Sequence, residues 1–199
     1  MKTSTDSWAP KTGAQSLSHP EARTAPSRTG VLGTILTELA FGEDEREALA
    51  ELATWLSDDL DELVHIAATR ARSVALESEG VQVAVDPLGT RAPVRPSIRN
   101  LRRHAARQWL VATLEGNYDS AFSRQVRHTW MPILLAEAHH NRATPAFVGA
   151  FLSYFEGIVA SRVVDTTADN IVPYWRMLHA FRLAISVQRR IFGLAPEAG

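Results

Sequence analysis

The chain has 199 residues, of which 45% are hydrophobic, and a formal net charge of −1. This size suits one domain with a sizeable core, and the near-neutral charge gives no support for a nucleic-acid or membrane-surface role. The absence of cysteine excludes disulfides, thiolate metal sites and cysteine nucleophiles. We find no apolar run of the roughly 18 residues that span a bilayer and no signal peptide, so we expect a cytoplasmic protein without membrane contact.

The N-terminal residues 1–28 are rich in Ser, Thr, Pro, Ala and Gly and show little apolar periodicity. Such a segment cannot bury enough apolar surface to offset its ordering entropy, so we expect it to be disordered. The folded domain is expected over residues 29–195.

The first half of the folded part shows helical periodicity. A short helix is predicted over 31–41, with Gly42 as its stop. A second helix opens on the acidic residues 43–45, as the helix dipole favours, and a third covers about 58–76. The segment 77–96 contains two glycines and three prolines and is predicted to be a loop.

The middle of the chain predicts two further helices. The fourth starts at Pro96 and ends at Gly116, and the corner 117–119 follows it. The fifth is expected over about 120–141, with Pro132 kinking or dividing it.

Two long apolar helices complete the predicted fold, over about 145–164 and 168–192. The apolar positions of the last helix include Trp175 and Phe181. The chain is therefore predicted to be an all-α bundle of six to seven helices without an internal repeat.

The segment 134–147, LLAEAHHNRATPAF, joins an apolar run to the pair His139–His140 and a helix-opening proline. A histidine at the end of such a run can enter an apolar pocket, where neutral imidazole can ligate a metal or a haem iron. The pair alone is not specific, because histidines on amphipathic helices are also ordinary surface or core residues.

Four landmarks follow one another along the chain. An acidic opening and a leucine-rich helix precede LDELVHIA (60–67), and a proline-rich loop comes next. RQWLVATLEGNYDSAF (107–122) ends in a Gly-x-Tyr-Asp corner, and LAEAHH (135–140) precedes Pro145. In this order the landmarks resemble the sensor-globin family, which comprises the globin domains of globin-coupled sensors and the protoglobins, over about residues 32–193.

The resemblance implies a globin-like bundle that holds haem b, with His139 as the proximal ligand of the iron. The diatomic gases O2, CO or NO would bind on the opposite side. The residues that the resemblance places against the porphyrin are Leu101, Trp109, Leu135, Phe147 and Phe151. The alternative for the aromatic members of this set is that they pack in an ordinary helix-bundle core and contact no porphyrin.

Two features depart from the family pattern. The spacing from Asp119 to His139 is about one and a half to two turns longer than in the family, which makes His128 an alternative ligand. The family's distal tyrosine would fall near Ala68, and no tyrosine occurs in that helix. Polar stabilisation of bound oxygen should then be weaker, and a haem-free sensor globin becomes an alternative.

The first functional hypothesis is a single-domain haem protein that binds a diatomic gas and acts in gas or redox sensing. It would signal through a separate partner or as a homodimer through its last two helices. The alternative is a haem-free module for protein interaction in stress signalling, and an enzymatic role ranks third. A basic run at residues 99–107 could pair with haem propionates or with nucleic acid, but a solvated helix face is the favoured interpretation.

Overall fold

The computed structural model describes residues 28–78, 96–136, 143–166 and 172–194. These ranges are all-α and contain no strand, which confirms the predicted fold class. The helices are α1 (Arg28–Glu38), α2 (Glu43–Trp55), α3 (Leu60–Ser78), α4 (Pro96–Glu115), α5 (Ser120–Gln125), α6 (Met131–Leu135), α7 (Pro145–Thr166) and α8 (Val172–Ile191). A π-helical turn, Val126–Trp130, joins α5 to α6 without a break. The described ranges thus hold seven helical segments, within the predicted number.

The first helix ends differently from the prediction. Ala40, with φ of 51°, is the left-handed residue that follows α1, and the amide of Phe41 donates to the carbonyl of Leu36 at 2.9 Å. This pattern is a Schellman-type helix end formed without glycine. Gly42 instead precedes α2, where its amide donates to the Glu45 carboxylate at 2.7 Å. The prediction of Gly42 as the stop was therefore wrong.

The corner after α4 follows the prediction. Gly116 has φ of 68°, and a Cβ at this position would lie 3.2 Å from Cγ of Arg46 on α2. Glycine is therefore favoured by the backbone conformation, and a Cβ would also require the Arg46 side chain to shift by a few tenths of an ångström. The Asp119 carboxylate then accepts from the amide of Phe122 at 2.7 Å and caps α5.

The irregularity predicted at Pro132 is present as the π turn directly before it, but the helix ends earlier than expected. Proline cannot donate to the carbonyl four residues before it, and the wider π turn directly upstream accommodates this loss. Ala136 is extended, with ψ of 127°, so α6 ends at Leu135 and does not continue to residue 141. The loop predicted over 77–96 lies mostly outside the described residues, although α3 extends into it as far as Ser78.

α7 packs against α3 and α8, while α2 and α4 contact each other and close the other side of the bundle. The largest fully buried side chains come from most of the helices: Leu49, Leu52, Leu56, Leu63, Trp109, Leu110, Met131, Leu134, Leu135, Phe151, Phe155 and Phe181. Burial of each such side chain contributes about 1.5–3 kcal/mol. Trp175 was predicted to lie on the apolar side of the last helix, but it is 60% exposed and does not belong to the core.

Contrary to the sequence expectation, one described helix is long and apolar enough to cross a membrane, by length and composition alone. This helix spans Pro145–Asp165, and the central helix of a soluble bundle meets the same criterion. Phe151, Leu152 and Phe155 of α7 are fully buried in the bundle. This part of α7 therefore belongs to the core of the bundle.

Candidate functional site

The residues predicted to surround a haem fall into three groups. His139, the proposed iron ligand, lies outside the described residues together with His140. Leu101 is 51% exposed near the start of α4. The other four are buried in the core: Trp109, Leu135, Phe147 and Phe151.

Trp109 lies at the centre of an aromatic cluster between α4 and α7. Its ring centroid is 5.0 Å from that of Phe151 and 5.0 Å from that of Phe155. The two phenylalanine rings are 5.9 Å apart. Tilted and edge-to-face pairs at these distances stabilise the core beyond their area burial. These rings contact one another, as in an ordinary helix-bundle core.

A buried polar network joins α4 to α8 beside the cluster. The Trp109 indole N–H donates to Oε1 of Gln188 at 2.7 Å, and Nε2 of Gln188 donates to Oγ1 of Thr113 at 3.1 Å. The Thr113 hydroxyl donates to the carbonyl of Trp109 at 2.7 Å. Gln188 and Thr113 are fully buried. Each polar group has a partner, so the network fixes how α8 lies on α4.

Tyr118 extends this network to the corner after α4. Its hydroxyl donates to the carbonyl of Thr113 at 2.7 Å, and burial raises the pKa of Tyr118 above its ordinary value. Its ring also packs against Phe41 and Phe122, at 4.9 and 4.7 Å between centroids. The corner is thereby anchored to the polar network and to α5.

Sequence reasoning missed Gln188 and Thr113, although the sequence carried a signal for Gln188. It follows Phe181 by seven residues and Ile185 by three, so it lies on the buried stripe of α8. A polar residue at such a position predicts a buried hydrogen-bond partner on a facing helix. Arg189, the next residue, was also missed: it is buried and contacts Glu156 on α7 at 3.4 Å.

The chain leading towards His139 is anchored to α4. Arg102 donates to the carbonyl of Ala136 at 2.7 Å, and burial together with the nearby charge of Arg72 lowers the pKa of Arg102. Further along the basic run, Arg107 pairs with Asp61 on α3 at 2.8 Å, while Arg99 and Arg103 are exposed. Two arginines of the run, Arg102 and Arg107, therefore bind groups outside α4, and the other two belong to a solvated face.

Near Ala68 on α3, the polar residues His65 and Thr69 are exposed. The hydroxyl of Thr69 donates to the carbonyl of His65 at 2.7 Å. Both positions belong to the outer surface of α3. His128, the alternative iron ligand, is also exposed and lies in a surface cleft with Arg124 and Arg127.

The space beside Trp109 determines whether a haem fits into the described core. Trp109 and Phe151 contact each other, and the indole N–H is already bonded to Gln188. In this packing they form no open slot for a porphyrin ring. Within the described ranges no group of three or more His, Asp or Glu side chains could hold a metal ion.

No model of a known protein family, no curated protein and no solved structure matches this chain. The resemblance to sensor globins therefore stays a prediction that rests on the sequence landmarks.

Proposed function

We propose that this chain is a haem-free, sensor-globin-like helical module for protein interaction in stress signalling. The observation that supports the haem-free alternative is the packing of Trp109 against Phe151 and Phe155. The signalling role is carried over from the family resemblance alone.

Insertion of a haem would disturb the contacts at the centre of the bundle. A porphyrin placed against Trp109 would separate its ring from Phe151 and disturb the bond to Gln188. A buried N–H left without an acceptor costs about 1–3 kcal/mol, and the aromatic contacts add about 0.5–1.5 kcal/mol for each pair. The closed packing is thus favoured unless haem binding offsets these terms.

The competing proposal is the haem globin, with His139 on the iron and a diatomic gas as ligand. If haem binds there, the imidazole of His139 would supply the axial ligand. Arg102 would hold Ala136, three residues earlier in the chain, against α4. Titration of the purified protein with haemin separates the two proposals, because only the haem globin gives a stoichiometric Soret band that depends on His139.

The proposed partner is a second copy of the chain, bound through the last two helices. Val164 near the end of α7 is 48% exposed and Trp175 near the start of α8 is 60% exposed. The connection between these helices is short, so both apolar side chains lie at the same end of a helical hairpin. Large exposed apolar side chains close together favour an interface.

Light scattering coupled to size-exclusion chromatography tests this interface. We expect a dimer for the unmodified chain and a monomer for the double variant Val164→Gln, Trp175→Gln. Leu101→Gln, at another exposed apolar position, is the control and should leave the dimer intact. A monomeric unmodified chain at high micromolar concentration would refute the proposed homodimer.

A further inference from the structure

A surface cleft of about 410 Å³ lies between α1, the α5–π segment and the end of α8. This volume is within the range of roughly 300–1,000 Å³ that is usual for small-molecule sites. It is separate from the Trp109 cluster, whose rings do not line it. A ligand bound in this cleft would leave the core packing unchanged.

One wall of the cleft is apolar and belongs to α1. It is formed by Val31, Leu32 and Ile35, and Val31 is 54% exposed. Among the described residues, no side chain covers this valine fully. Burying it under a ligand would contribute favourable free energy in proportion to the apolar area removed from water.

The cleft is also lined by three arginines, Arg124, Arg127 and Arg190. Arg190 pairs with Glu38 at 3.3 Å, and the Arg127 guanidinium lies 6.0 Å from the centroid of the Phe192 ring. Arg124 forms no ion pair with any residue in the described ranges. Among the described residues at the cleft, the three arginines have one carboxylate partner, Glu38, and an anion would balance the remaining positive charge.

The geometry of the α5–π segment explains why Arg124 and Arg127 line the cleft together with His128. Arg124, Arg127 and His128 are separated by three and four residues, which places them on one face of a helix. The π turn begins between Arg124 and Arg127, and π turns are frequent at functional sites. The side chains of this face and those of α1 thus line the same cleft from two helices.

We propose that this cleft binds a small organic carboxylate with a compact apolar body. The carboxylate would accept hydrogen bonds from Arg124 and its neighbours, and the apolar body would cover Val31. An inorganic anion would leave the α1 wall exposed to water, and a neutral apolar compound would leave the guanidinium charges unbalanced. The combination of the apolar wall and the arginines favours a ligand that has both parts.

The test is calorimetric titration of the full chain with octanoate and, separately, with 1-naphthoate. Octan-1-ol is the matched uncharged ligand. We expect saturable binding of at least one carboxylate at a 1:1 ratio, and at least tenfold weaker binding of the alcohol. Charge-assisted hydrogen bonds are strong enough to give this difference.

Two variants assign the binding to the cleft. Arg124→Gln should weaken carboxylate binding about tenfold, and Val31→Asp should weaken it at least as much, because it adds a like charge to the apolar wall. Arg103→Gln, at an exposed arginine of α4, is the control and should stay within twofold of the unmodified chain. Circular dichroism checks that each variant keeps its helical content.

Three results would overturn the proposal: no saturable binding of either carboxylate, equal binding of octanol and octanoate, or equal loss in Arg124→Gln and Arg103→Gln. None of these results depends on haem, so failure here and failure of the haem-free proposal are distinguishable.

Discussion

Replacement of Gln188 by methionine tests the buried polar contact that joins α4 to α8. Methionine keeps the length and the unbranched shape of glutamine but provides no strong acceptor for the indole N–H of Trp109. That N–H donates to Oε1 of Gln188 at 2.7 Å, and both side chains are fully buried. The variant therefore leaves a buried donor without a partner.

The expected loss follows from the cost of that unsatisfied group. An unpaired buried donor costs about 1–3 kcal/mol, and the apolar methionine side chain offsets part of it. We expect the free energy of unfolding to fall by about 1–2 kcal/mol. With a urea dependence of about 2 kcal/mol per molar, the unfolding midpoint should fall by about 0.5–1 M.

Urea unfolding followed by far-ultraviolet circular dichroism measures this change. Gln125→Met, at an exposed position of α5, is the control and should change the stability by less than about 0.5 kcal/mol. In a Trp109→Phe background the donor is absent, so Gln188→Met should cost at least about 1 kcal/mol less than in the native background. Equal costs in the two backgrounds, or a cost no larger than that of Gln125→Met, would refute the reasoning.

Two further predictions concern the corners of the bundle. Ala40→Gly should raise the free energy of unfolding by about 0.5–1 kcal/mol, because glycine avoids most of the left-handed penalty. Gly116→Ala should lower it by about 1–2 kcal/mol, because φ is 68° and the new Cβ would lie 3.2 Å from Cγ of Arg46. Urea midpoints measure both, and equal signs for the two changes would contradict the assigned backbone conformations. Tyr118→Phe should cost about 1 kcal/mol at pH 8, where the tyrosine is neutral in both states and its hydroxyl bonds the carbonyl of Thr113. Since burial raises the folded pKa, native stability should fall above the unfolded value of about 10, by about 1.4 kcal/mol for each pH unit. The gap to Tyr118→Phe should therefore close near pH 11 in urea titrations, and a gap that is constant from pH 8 to 11 would count against a buried tyrosine.

The helical periodicity of the sequence predicted most of the fold, because amphipathic stripes and caps are local features. The acidic opening of α2, the glycine after α4 and the proline that starts α7 all occupy their predicted positions. The end of α1 was missed because its left-handed residue is an alanine, which the sequence does not mark as a helix stop. Trp175 was misassigned because periodicity alone does not show which face of a helix the neighbours cover.

The candidate site was less predictable than the fold. The sequence indicated that Trp109 and Phe151 are buried, but it did not reveal that they contact each other or that Gln188 bonds the indole. Such contacts join residues about 40 to 80 positions apart, so no local pattern encodes them. The surface cleft could not be predicted for the same reason, because the residues that line it come from helices that are distant in the chain.

The absorption spectrum of the purified chain, before and after addition of one equivalent of haemin, tests the central claim most directly. The account predicts no stoichiometric Soret band and the same weak background for the unmodified chain and for His139→Ala. A sharp Soret band that shifts with carbon monoxide in the unmodified chain, and is lost in His139→Ala, would contradict the haem-free proposal and establish the haem globin.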